Sequence, residues 1–65
     1  MDVERVVDRA IKFLKEKGEY LFPHLEKVEF DEKTARWSVW VNVGISEKNI
    51  KKVIIDKNGK VIGLE

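Results

Sequence analysis

The chain has 65 residues, a formal net charge of +1, no cysteine, and 43% hydrophobic and 38% charged residues. At this length only about 60% of the unfolded chain's surface is buried on folding, so one domain with a small core fits and a deep catalytic cleft does not. The lack of cysteine excludes a disulfide framework, a thiolate nucleophile and zinc-finger spacing, and the near-neutral charge argues against a dedicated binder of nucleic acid or anionic membranes.

The charged fraction, against roughly 25% in an average domain, implies a salt-bridge-rich surface of the kind enriched in thermophile proteins. Charges interrupt every apolar run of the opening MDVERVVDRAIKF, which therefore does not read as a signal peptide. No stretch approaches the roughly 18 apolar residues of a membrane span. The expected location is cytoplasmic, with no membrane partner.

The stretch DVERVVDRAIKFLKEKG predicts a helix. At 100° per residue Val3, Val6, Val7, Ala10, Ile11, Phe13 and Leu14 fall within an arc of about 160°, with charges on the other side. Asp2 is a suitable N-cap, Asp8 and Glu16 each stand four residues from Lys12, and Gly18 is a usual stop. Beyond it, Pro23 forces Phe22 into an extended conformation and ends any helical reading of EYLFPHLEKVEF.

Four short strands are predicted next. The first runs around Lys27 to Phe30, followed by the polar loop DEKT, and the second from about Ala35 to Val43. A loop from Gly44 to Asn49 leads to KKVIID, and KNG fits a type I turn closed by a bulge at Gly59 before KVIGL. The expected fold is α+β: one N-terminal helix packed on a three- to four-stranded antiparallel meander, within a single domain covering residues 1–65.

In RWSVWVNVG, Trp37, Val39, Val41 and Val43 alternate with Arg36, Ser38 and Asn42, but Trp40 falls among the polar residues. Two tryptophans three apart on a strand face opposite sides. The expected register pairs Phe30 with Ala35, Val28 with Trp37, Val41 with Val53, Val39 with Ile55, Trp40 with Ile54, and Ile54 with Ile62. If the first strand extends far enough back, Leu25 opposes Trp40.

One apolar face, including Trp37, is the bed for the helix. The other gathers Trp40, Ile54, Ile62, Leu25 and Leu64, and a single helix cannot cover both. Three readings fit this second cluster: lysine stems lying over the Trp40 ring, a second copy of the chain seated on it, or a site for another ligand.

Catalytic signals are weak. His24 is the only histidine, expected in a loop beside Pro23, and the carboxylates lack paired or metal-ligand spacing. Gly18 lies at the wrong end of the helix to cradle phosphate. Lys48, Lys51, Lys52, Lys57 and Lys60 gather in the last third and, with Trp40, fit a weak contact with single-stranded nucleic acid. Glu47, Asp56 and Glu65 dilute that patch, and a solvated lysine surface also discourages edge-to-edge aggregation.

A helix followed by ARWSVWVNVG and KKVIIDKNGKVIGLE resembles the PepSY-type and cystatin-like modules, the carrying residues being Trp37, Val39, Val41 and the hairpin Val53, Ile54, Ile55, Asp56, Asn58, Gly59, Lys60 and Val61. The resemblance implies a helix on an antiparallel sheet and a noncatalytic binding or regulatory role. The expectation is therefore a small interaction module that is not an enzyme and uses no catalytic residue, metal or cofactor. It is expected to associate with itself or with another protein through Trp40, Ile54, Ile62, Leu25 and Leu64.

Overall fold

The computed structural model of the chain describes residues 2–17, 23–44 and 49–65. Helix α1, Val3–Glu16, starts at Asp2, whose carboxylate accepts a hydrogen bond of 2.9 Å from the Arg5 N–H and so satisfies one of the amides left open at a helix start. Val6, Ala10 and Leu14, each four apart, form its fully buried stripe, flanked by partly buried Ile11 and Phe13, while Val3 at the first turn is exposed. The predicted stop at Gly18 lies outside the described residues, as do Tyr20, Leu21 and Phe22.

Strands β1 (His24–Asp31), β2 (Arg36–Asn42), β3 (Ile50–Ile55) and β4 (Val61–Leu64) form one four-stranded antiparallel sheet in the order of the chain. The expected α+β architecture is the one observed. His24 belongs to strand β1 and not to a loop, because β1 is longer than the apolar alternation alone suggested.

The register differs from expectation in an instructive way. Phe30 meets Trp37, Val28 meets Val39, and Val39 meets Val53, each pairing displaced by two residues. The first turn explains one displacement: the Asp31 carboxylate accepts from the Lys33 N–H at 2.9 Å and Ala35 takes a left-handed φ of 57°, so the chain re-enters the sheet only at Arg36. The second follows from the bond of 2.9 Å from Val43 N–H to the Asn49 carbonyl, which starts β3 at Ile50. A shift of two leaves every side chain on its expected face.

Two bulges do change faces. Between Leu25 and Lys27 the register slips by one, so Leu25 opposes Val41 and not Trp40. A second irregularity between Ile54 and Ile55 pairs Ile54 with Gly63 instead of Ile62, and Val53 with Leu64. A one-residue slip reverses the side a strand presents, so Leu25 and Leu64 register with the helix-side residues Val41 and Val53.

The KNG hairpin forms as expected, with Gly59 at a φ of 86° and the Asp56 carboxylate accepting from the N–H groups of Asn58 and Lys60 at 2.9 Å each. The core lies between helix and sheet: Val6, Ala10 and Leu14 against Val39, Val41, Val53 and Ile55, all of them fully buried. Trp37 is only partly buried at the margin of this cluster, its ring centroid 4.8 Å from that of exposed Phe30.

Candidate interaction surface

Strand alternation sends Trp40 to the side of the sheet away from α1, and the observed pairings arrange that side in rows. The central row reads Lys27, Trp40, Lys52, Glu65: Lys27 opposes Trp40, Trp40 opposes Lys52, and Lys52 exchanges backbone bonds of 2.9 and 2.8 Å with Glu65. The next reads Glu29, Ser38, Ile54, Gly63. The third is Asp31, Arg36, Asp56, Lys60, obtained from the pairing of Asp31 with Arg36, the β2 to β3 register continued by one residue, and the bond of 2.9 Å from Asp56 N–H to the Lys60 carbonyl.

The partly buried Trp40 ring lies between two ammonium groups, Lys27 Nζ at 4.7 Å and Lys52 Nζ at 5.4 Å from its centroid. Both are within the reach of a cation attracted to an aromatic face. Each lysine also has a carboxylate: Lys27 Nζ is 2.8 Å from Glu29 Oε1 and Lys52 Nζ 3.9 Å from Glu65 Oε1. These exposed ion pairs hold the charges in place more than they stabilise the fold.

Below Trp40, short Ser38 floors a shallow hollow bounded by Glu29, Asp31, Trp40 and Lys52. Ile54 stands beside it, its Cδ1 3.4 Å from the place a Cβ on Gly63 would take. Ile62, the extra residue of the bulge, is 42% exposed. Of the residues expected to cluster, Trp40 and Ile54 share this face in adjoining rows, Ile62 sits at its β4 margin, and Leu25 and Leu64 register with the other side.

The lysines of the last third do not form a single patch. Lys51 opposes Val41, on the helix side, whereas Lys52 opposes Trp40. Lys48 and Glu47 lie outside the described residues. His24 Nε2 lies 3.2 Å from Glu26 Oε1, and no group of three or more His, Cys, Asp or Glu side chains suited to a metal ion occurs among the described residues. Among those residues no helix is long and apolar enough to cross a membrane.

No protein-family model matches the chain, and no significant match to it was found among curated proteins or solved structures.

Proposed function

We propose that the protein is a small noncatalytic interaction module whose working surface is the sheet face around Trp40, and that it associates there with a second copy of itself. The observation that carries this reading is a large aromatic ring at the centre of a face that the only helix among the described residues does not cover. Ring-bearing, centrally placed residues on such faces are where binding energy concentrates. Trp40, Ile54 and Ile62 supply the apolar contact, and the charged rows around them supply orientation. The resemblance to PepSY-type and cystatin-like modules points the same way, toward binding and not catalysis.

Replacing Trp40 with lysine removes the anchor and adds a third ammonium between Lys27 and Lys52. The expected result is a folded monomer, read by sedimentation and circular dichroism against an unmutated protein that dimerises at tens to hundreds of micromolar. Unmutated protein that stays monomeric throughout, with Trp40 readily quenched in a Trp37→Phe background, overturns the reading.

The competing reading, a weak single-stranded nucleic-acid contact through Trp40 and the lysines, draws on the two ammonium groups at the ring. Their carboxylate partners and the split of Lys51 from Lys52 favour a protein contact instead. Micromolar binding of labelled single-stranded DNA or RNA at low salt that vanishes as salt is raised would reverse the ranking.

A further inference from the structure

We infer that the second copy packs face to face about a two-fold axis lying in the interface and running parallel to the strands between β2 and β3, so that each row meets its own reverse. This rests on the self-association reading above and specifies its geometry. Such an axis keeps a residue's height along the strands and exchanges left for right, placing β1 over the partner's β4 and β2 over its β3, an isologous contact.

The three reversed rows from Trp40 to Arg36 are complementary in charge. In the central row Lys27 meets a second copy's Glu65, and Trp40 meets its Lys52, which joins the two cations already at the ring. In the third, Asp31 meets Lys60 and Arg36 meets Asp56. No like charges face one another in any row. In the middle row Ile54 meets the short Ser38 and Glu29 meets Gly63, so no charge faces a charge of its own sign. Aligned sheets pack with strands within about 30° of each other, which keeps rows near the axis in register.

An axis running across the strands through the middle row pairs opposite charges in the outer rows as well, Lys27 over Asp31, Lys52 over Asp56 and Glu65 over Lys60, but it sets each residue of the middle row on its own copy, so that Glu29 faces Glu29 and the Ile54 side chains stack on each other. The face is small, so the dimer is weak: three strand spacings of about 4.8 Å give a width of roughly 14 Å, and so limited a contact falls at or below the 1,200 Å² lower bound of standard interfaces. A dissociation constant of tens to hundreds of micromolar is expected.

Asp31 and Lys60 make the decisive test, because within one copy they stand on opposite edges of the sheet, about 14 Å apart. Sedimentation equilibrium is run on four proteins: unmutated, Lys60→Glu, Asp31→Lys, and the double exchange Asp31→Lys with Lys60→Glu, each checked for folding by thermal melting. Each single exchange is expected to weaken dimerisation by at least about tenfold and the double exchange to recover most of it. Rescue between groups that do not touch within a copy reports contact between copies. If the unmutated protein dimerises, Trp40→Lys abolishes the dimer, and the double exchange fails to recover association, this geometry is overturned while the Trp40 face stands. If the unmutated protein is monomeric up to about 500 µM, both fail.

Discussion

The two sides of one sheet are built on different terms. On the helix side, Val39, Val41, Val53 and Ile55 are fully buried against Val6, Ala10 and Leu14. On the open side Trp40 and Ile54 are partly buried among Lys27, Glu29, Ser38 and Lys52, so apolar surface is covered by the stems and heads of charged neighbours. The first arrangement draws its stability from surface removed from water, in proportion to area. The second retains apolar surface beneath charges of fixed sign and position, which suits orientation of a partner more than stability. Among the described residues the fully buried apolar side chains of the sheet all lie on the helix side.

That contrast breaks most sharply at Leu14. Leu14→Ala deletes a fully buried side chain facing the sheet and is expected to cost about 3 kcal/mol, a large share of the stability of so small a domain, read by urea unfolding. Trp37→Ala comes next, at about 2 kcal/mol, because the ring is partly buried at the core's margin and loses its contact with Phe30. Cost equal to or above that of Leu14→Ala would mean that Trp37, and not the helix stripe, anchors the core.

Trp40→Ala is expected to cost folding only about 1 kcal/mol, the cross-strand and cation contacts at the ring, while removing measurable dimer. A loss of stability matching that of Leu14→Ala would erase the distinction between the two sides. The smallest effect belongs to neither face: Ala35→Gly relieves a left-handed backbone at φ 57° and is expected to raise stability by about 0.5 kcal/mol, the relief of strain being partly offset by the greater freedom of glycine in the unfolded chain.

Much of this molecule is legible along the chain because its signals are local. The spacing of Val6, Ala10 and Leu14, the Asp2 cap and the KNG turn each depend on residues within a few positions of one another, and each appears as read. Period-two alternation likewise assigns Trp37 and Trp40 to opposite sides whatever the register, since a displacement of two residues leaves faces unchanged. Leu25 and Leu64 fall outside that protection. Each lies beyond a bulge, an extra residue accommodated by the partner strand and announced by no residue type here, and a slip of one carries the side chain to the other face. The rows that give the open side its charge pattern have the same origin: strand periodicity dictates which residues point outward, but which outward residues stand side by side depends on where Ala35 and Asn49 let the chain re-enter the sheet, a matter of turn geometry and packing among strands that linear spacing does not encode.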